Sequence, residues 1–400
     1  MNNVSQESMV RSPDKSYVVI SLVMGLISGV LLIGFAAWFL KTENEYVVGS
    51  LLLLAVVGTI IASRLGALDR IRVAFDQYEK TLYAMVIAGV LVLAYIFRED
   101  HFTLLMITTV MVYMLAGLGL NVQFGYVGLI NLSGASFIGV GAYTAAVLTI
   151  HSAIPPLLSL PIGGMLSALI GCLLIMPVLR TYGHYSAVVT IAFAILFESF
   201  LEVNDILGGP QGLASGPMSL FGWNFNVPIA FSSSSNTSFY MNYLLLTLTV
   251  LALAFALVRR LERSWIGLSM DAVRLDETAA ACYGIGIQRW KIFGFTFGNF
   301  LIGMAGAIYG MMLGFIAPAN FAFSESLILV SIVLLGGLGN PWGLAVASVI
   351  VILLPEKLQM IQEYRFLLFA SLVVLVLLFR PNGLLPRGMR NYLPGRKVAP

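Results

Sequence analysis

Four small polar residues lie within or beside a glycine-rich apolar stretch, where their side chains have no water to bind. They are Asn121, Asn131, Ser133 and Ser136. Amides, hydroxyls and the backbone groups freed at a helix break are the chemistry with which transporters bind polar solutes. The same side chains also hydrogen-bond one helix to another in membrane proteins. The four residues are therefore candidates for a solute pathway, with helix–helix bonding as the alternative.

One acidic residue, Glu198, falls inside an apolar run. A charge within a membrane is costly, so its carboxylate must face a cavity, find a partner or become protonated. Glu202 follows four residues later, which is also consistent with a position near the membrane surface, where Glu198 would be solvated. Glu198 is a fifth candidate for the pathway, with solvation as its alternative.

The longest charged segment between two apolar runs, residues 259–291, contains a short alanine-rich sequence. Acids at its start suit the positive end of a helix, alanines favour the helix, and a glycine predicts its end. A short helix with small side chains, held outside the membrane, is suited to docking into another protein's groove. The alternative is an ordinary loop helix. The residues concerned are Asp276, Glu277, Ala279, Ala280 and Gly284.

A second glycine-rich sequence interrupts a late apolar run. Glycine and proline together predict a break or re-entrant turn, which either lines the pathway or only turns the chain. The residues are Gly336, Gly337, Gly339 and Pro341. Between 294 and 314, glycines recur at four-residue intervals, which predicts close helix packing.

The sequence carries no catalytic motif. HExxH and GxSxG are absent, and without a Gly-Lys dipeptide there is no Walker A loop. Cys172 and Cys282 stand in neither a CxxC nor a zinc spacing, and the three histidines are far apart. We predict no catalytic residue, no metal and no cofactor.

The composition indicates which elements must position these residues. Of 400 residues, 59% are apolar and 10% are charged, against about 45–50% and about 25% in soluble proteins. This excludes a soluble enzyme, and a net charge of +3 without a dense basic block excludes a disordered protein or a nucleic-acid binder. One span needs about 20 apolar residues. We predict an all-α polytopic membrane protein with about ten to eleven transmembrane helices, including broken or re-entrant segments.

The apolar runs give the predicted spans, which are 17–40, 46–63, 81–97, 102–120, 126–150, 157–179, 186–203, 240–258, 291–316, the broken pair 326–337 and 342–354, and 364–379. With both termini in the cytoplasm, alternation places 18 of the 22 Lys and Arg residues inside, as the positive-inside rule requires. Residues 64–80 form either an amphipathic interfacial helix or a solvated connector.

Five segments, in order, resemble branched-chain amino acid permeases of the LivM type. Glu277, Ala279, Ala280 and Gly284 match the E-x-A-A-x-x-x-G core of the cytoplasmic loop of ABC importer permeases. The others are a glycine-rich segment, a Y-x-A-x-x-T-x-A-F helix, an external G-G-x-x-G loop, and a late G-G-L-G-x-x-W-G signature followed by L-P-E. They lie at 119–143, 185–193, 208–212 and 336–356, and the tail 380–385 also fits.

The resemblance implies a permease subunit that does not hydrolyse ATP itself. Its implied partners are ABC ATP-binding subunits, a second permease subunit in a homodimer or heterodimer, and an extracytoplasmic substrate-binding protein, with lipid around it in the cell (inner) membrane. The implied domains are an N-terminal extension at 1–101 with about three membrane helices, a permease core at 102–386 and a cytoplasmic tail at 387–400.

The chain departs from the family pattern in two places. Residues 129–134 lack the usual Gln and His, and Ile195 and Glu198 stand where members usually have an acid and a base. The sequence therefore leaves two possibilities for the transported solute: a branched-chain amino acid, or a related polar molecule such as another amino acid, an amide or urea. An ion-coupled secondary transporter, with Glu198 as its coupling residue, is the alternative mechanism.

Overall fold

The computed structural model describes residues 33–42 and most of 79–357, together with isolated positions at 47, 50 and between 364 and 387. The gaps are at 153, 181–184, 221 and 229–236. Most of the predicted spans 17–40, 46–63 and 364–379, and most of the connector 64–80, lie outside the described residues. The chain divides into two compact units, Met1–Arg98 and Glu99–Pro400.

The first unit contains a helical segment at 33–41 and helix α1, Glu79–Ile96. α1 corresponds to the predicted span 81–97.

The second unit is a bundle of helices, most of which are joined by short connections, with a long loop after the helix that ends at Val203. Its helices are α2 (His101–Asn121), continued by a π-helical turn (Val122–Val127), α3 (Gly134–His151), α4 (Pro156–Arg180), α5 (Tyr185–Val203), α6 (Tyr240–Glu262), α7 (Trp265–Leu275), α8 (Glu277–Cys282), α9 (Ile287–Leu313), α10 (Phe323–Gly336) and α11 (Pro341–Lys357). Among the described residues, seven helical segments are long and apolar enough to cross a membrane. The total of ten to eleven and the orientation of the termini remain predictions.

One predicted span is interrupted in the structure. The run 126–150 was expected to be one helix, but the π turn ends at Gly128, and α3 begins only at Gly134. Gly128 has φ +74°, which only glycine adopts without strain. The apolar residues between them continue the hydrophobic run in the sequence, so hydropathy alone does not reveal the break.

Helix α9 forms the centre of the bundle and packs against α2, α3 and α4. The predicted close packing of its glycines is confirmed at Gly298 and Gly306, where an added Cβ would overlap backbone carbonyl oxygens of Gly119 and Ile138. Gly314 differs, because it has φ +72° and ends the helix. The glycines thus bring backbones into contact, which lets dispersion forces hold helices together in lipid.

Short strands join connections at the end of the bundle opposite the charged loop. β1 (Leu213–Ala214) pairs antiparallel with β4 (Phe315–Ile316), and β2 (Ser219–Leu220) pairs with β3 (Trp223–Asn224). The pairing of β1 with β4 fixes the long loop that follows α5 to the end of α9.

Candidate functional site

A buried network of amides lies where the π turn, the break and α9 meet. The Gln123 Nε2 donates to Asn299 Oδ1 at 2.9 Å and to the Phe295 carbonyl at 3.0 Å. The Asn131 Nδ2 donates to Gln123 Oε1 at 2.7 Å. Gln123, Asn131 and Asn299 are fully buried, so the network supplies bonds that these side chains cannot obtain from water.

Ser133 extends this network toward α3. Its backbone N–H and its hydroxyl both donate to Asn131 Oδ1, at 3.0 and 2.6 Å. The backbone N–H of Leu132 donates to Thr190 Oγ1 on α5 at 3.0 Å, and that of Ala135 donates to Ser326 Oγ on α10 at 3.0 Å. Side chains from three parts of the bundle therefore satisfy the backbone and amide groups of the break.

Asn121, also fully buried, joins α2 to the turn between α10 and α11. Its Oδ1 accepts from the Gly339 backbone N–H at 2.8 Å. A Cβ on Gly125 would overlap the Gly339 backbone, so the two segments are in direct backbone contact. The Asn121 Nδ2 and Asn299 Nδ2 atoms have no hydrogen-bond partner within the part of the chain that the structure describes.

The two remaining pathway candidates lie apart from the amide network. Ser136 is fully buried on α3, and its hydroxyl has no partner among the described residues. Glu198 is half-buried on α5, beside the exposed side chains of Ile195 and Leu196. Its carboxylate makes no hydrogen bond or ion pair with the described residues. The structure thus brings Asn131 and Ser133 together and leaves Glu198 outside their network.

The charged loop folds into the two short helices α7 and α8. Asp276 Oδ1 caps α8 by accepting from the N–H groups of Thr278 and Ala279 at 2.8 and 3.0 Å. Gly284, with φ +77°, follows its C-terminal end. The Gly284 N–H donates to the Ala281 carbonyl and the Ile285 N–H to the Ala280 carbonyl, which is a Schellman motif. Both ends of α8 are therefore fixed.

The loop exposes apolar side chains around α8 beside its charged ones. Ala279 is exposed, whereas Ala280 is buried beneath it. Leu275 before the helix and Tyr283 after it are 77% and 86% exposed. Glu277 pairs with Lys291 of α9 at 2.6 Å. Exposed apolar side chains on a fixed helical element are typical of a surface that another protein covers.

The late glycine-rich sequence makes a tight turn. α10 ends at Gly336 and α11 begins at Pro341, whose missing N–H is harmless in the first turn of a helix. Gly337 and Gly339 between them have φ +105° and +80°. The turn faces the π turn and the tail, where Asn340 Nδ2 donates to the Leu385 carbonyl at 3.0 Å.

Sequence reasoning missed four residues that the structure brings to this region. Gln123 and Asn299 are amides in apolar runs, the same signal that singled out Asn121. Asp271 and Arg387 form a two-pronged ion pair at 2.8 and 2.9 Å. They are 116 residues apart in the sequence, and neither belongs to a motif.

A small recess between α2, α3, α9 and α10 was also missed. Its lining includes Tyr113, Tyr309, Asn320, Phe321 and Glu325. The rings of Tyr113 and Tyr309 meet edge to face, with centroids 6.4 Å apart. Two tyrosine rings and a carboxylate thus line one recess, and groups of these types attract organic cations.

Outside the spans, the pKa of Asp100, the cap of α2, is perturbed. Burial raises it, but hydrogen bonds from Thr103 and Phe102 and the charge of Lys357 outweigh burial and hold the pKa below its ordinary value of 3.8. Among the described residues, no group of three His, Cys, Asp or Glu side chains is suited to holding a metal.

Comparison with known proteins identifies the family. The family model described as "Branched-chain amino acid transport system / permease component" matches residues 102–379. The LivM permease of Escherichia coli K12, a protein of a high-affinity branched-chain amino acid transport system, is 34% identical over 74% of this chain and 73% of its own length. No solved structure matches the chain significantly.

More distant relatives include both permease types. A probable LivM permease of Methanocaldococcus jannaschii is 23% identical over 68% of this chain and 90% of its own length. The LivH permease of E. coli K12 is 22% identical over 69% of this chain and 91% of its own length. With its apolar helices and this family match over most of its length, the chain is a multi-pass inner-membrane protein that belongs to the family of branched-chain amino acid transport system permease components.

Proposed function

We propose that the chain is the permease subunit of an ATP-driven ABC importer, and that its loop at 259–291 docks on an ATP-binding subunit in the cytoplasm. The observation that carries the proposal is the capped helix α8 with exposed Ala279, Leu275 and Tyr283 around it. A rigid, exposed element that presents apolar side chains between two spans fits a groove on a partner. Its sequence resembles the docking segment of ABC importers at Glu277, Ala279, Ala280 and Gly284.

Co-purification with the ATP-binding subunits of the same system tests the docking proposal. Ala279→Arg places a long charged side chain on the exposed face of α8, so we expect it to abolish co-purification and uptake of leucine. Gln288→Arg is the matched control, because Gln288 is exposed in the same loop but outside α8. Normal co-purification and uptake by Ala279→Arg would refute docking through α8.

The transported solute is proposed to be a branched-chain amino acid or a related small polar molecule. The names of the relatives favour branched-chain amino acids. The recess lined by Tyr113, Tyr309 and Glu325 is the proposed contact for the ammonium group of an amino acid. Uptake of labelled leucine, competed by valine, glutamine and urea, distinguishes the candidate solutes. We expect Glu325→Gln to weaken uptake of amino acids, and unchanged uptake would remove the recess from the pathway.

The amide network is proposed to border the route of the solute. In support, Asn299 Nδ2 in the network is a buried donor without a partner among the described residues. Such a group favours the binding of a polar solute or water. Asn131→Ala and Ser133→Ala should then reduce leucine uptake while ATPase co-purification persists. If the network only joins helices, both variants would lose thermal stability but retain uptake once assembled. Glu198→Gln tests the remaining candidate in the same assay.

Ion-coupled transport is the competing mechanism, with Glu198 as its coupling residue. It predicts that the chain alone, in proteoliposomes, accumulates leucine along a proton or sodium gradient. The importer proposal predicts accumulation only when ATP-binding subunits, the second permease and a substrate-binding protein are present.

A further inference from the structure

The tail after the last span returns to the bundle and ends its described part at Arg387. The Leu384 N–H donates to the Leu335 carbonyl at 2.8 Å. Gly383 has φ +82° and lies so close to Gly337 that a Cβ would come within 2.5 Å of the Gly337 Cα. The tail is thus held against the turn between α10 and α11, and this contact positions Arg387.

The Arg387 guanidinium contacts the charged loop. Its Nη1 and Nη2 donate to the two Asp271 carboxylate oxygens on α7, at 2.8 and 2.9 Å. Its Nε lies 3.9 Å from Glu262 Oε1 at the end of α6. The three side chains are only 12%, 11% and 6% exposed, and a paired guanidinium and carboxylate in this geometry hold their relative orientation tightly.

The same guanidinium also contacts the π turn. Its Nη1 donates to the Gly125 carbonyl at 3.2 Å, and its central carbon lies 4.7 Å from the centre of the Tyr126 ring. Gln123, two residues before Gly125, is the amide that binds Asn131 and Asn299 in the core. One side chain therefore joins the charged loop to the segment that carries the buried network.

We propose that Arg387 is the positioning residue that transmits movement of the docking loop to the π turn, so that ATP hydrolysis is coupled to passage of the solute. This rests on the proposed function. α7 carries Asp271 and leads through Asp276 into α8. A displacement of α8 by an ATP-binding subunit moves Asp271, and the guanidinium carries that movement to Gly125 and Tyr126, and so to Gln123.

The test uses the full transporter in proteoliposomes, with leucine as the probe and ATP hydrolysis measured in parallel. Arg387→Lys keeps the charge but loses the two-pronged geometry, and Arg387→Gln removes the charge. We expect both to co-purify with the ATP-binding subunits within about twofold of the parent. We expect the amount of leucine moved per ATP hydrolysed to fall at least about fivefold. A purely structural defect would reduce transport and hydrolysis together and would leave this coupling ratio unchanged.

Two further variants make the test specific. Arg180→Lys is the matched control, because Arg180 ends α4 outside the docking loop, is exposed and forms no ion pair with the described residues. Its coupling ratio should equal that of the parent. Asp271→Asn combined with Arg387→Gln should lose no more coupling than either change alone, because the two residues act as one unit.

The outcomes separate this inference from the proposed function. An unchanged coupling ratio in assembled Arg387→Lys and Arg387→Gln overturns it, as does a double variant whose defect is the product of the two single defects. Loss of assembly in both variants at position 387 overturns it too, because Arg387 would then act in docking. If the parent and Arg180→Lys also fail to assemble with ATP-binding subunits, the proposed function itself is wrong.

Discussion

The cap of α8 gives the sharpest prediction about the docking loop. α8 is six residues long, too short to be stable as a helix on its own. Asp276 satisfies two of its free N–H groups, those of Thr278 and Ala279. Replacing such a cap by Ala costs about 1 kcal/mol, whereas Asn keeps the cap. Asp276→Ala should therefore unfold α8 more often, and Asp276→Asn should not.

The expected size of the effect follows from that cost. About 1 kcal/mol corresponds to about a fivefold change in an equilibrium constant. Hydrogen exchange of the α8 amides should thus quicken about fivefold in Asp276→Ala. If docking needs the folded helix, affinity for the ATP-binding subunit should fall by up to the same factor. Thr278→Ala is the control, because only the backbone N–H of Thr278 takes part in the cap.

Two results would refute this reasoning. Unchanged exchange in Asp276→Ala would mean that the cap does not stabilise α8. Faster exchange with unchanged affinity would mean that the folded helix is not the docked element. Weak docking by Asp276→Asn with slow exchange would identify the negative charge, rather than the cap, as the contribution of Asp276.

Three further predictions concern stability. Gly306→Ala forces a Cβ onto the Ile138 carbonyl and should destabilise the bundle by about 1–3 kcal/mol, measured by thermal melts in detergent. Gly310→Ala should cost less, because its Cβ would lie 3.1 Å from a side-chain atom. Equal losses of stability in the two variants would contradict the packing. Asn299→Ala leaves two buried amides short of an acceptor and should cost about 1–3 kcal/mol, which a melt like that of the parent would exclude. Because the pKa of Asp100 is lowered in the folded state, the stabilisation that its carboxylate provides is complete above the ordinary pKa of 3.8 and is lost as the pH falls below it. The melting temperature of the parent should therefore fall more steeply with acidification than that of Asp100→Asn. Parallel plots of melting temperature against pH for the two proteins would argue against the cap.

Periodicity and end signals were sufficient for most helices. The predicted span 157–179 corresponds to Pro156–Arg180, and 240–258 to Tyr240–Glu262. The sequence also placed the end of α8 at Gly284, because few residues other than glycine follow a helix in a left-handed conformation. Helix spans and helix ends depend on residues that are close together in the chain, so they can be predicted from a single sequence.

Features that depend on distant residues were not predicted. The break before α3 lies in an apolar run, and its stability comes from Gln123, Thr190 and Ser326 on other elements. The pairing of Asp271 with Arg387 likewise depends on the tail returning to the turn between α10 and α11. The residue pattern of one segment does not indicate which distant segment it will contact. A single sequence therefore identifies the polar residues but not how they are arranged in space.

Helix α9 has a mechanical consequence for communication across the membrane. Its 27 residues make a rod about 40 Å long. α9 starts five residues after the end of α8. Strand β4 begins two residues after the last residue of α9 and pairs with β1 of the long loop after α5. Backbone contacts brace it along its middle, so a tilt at one end is converted into an opposite displacement at the other. The helix can therefore work as a lever between the loop at 259–291 and the end of the bundle where β1 pairs with β4.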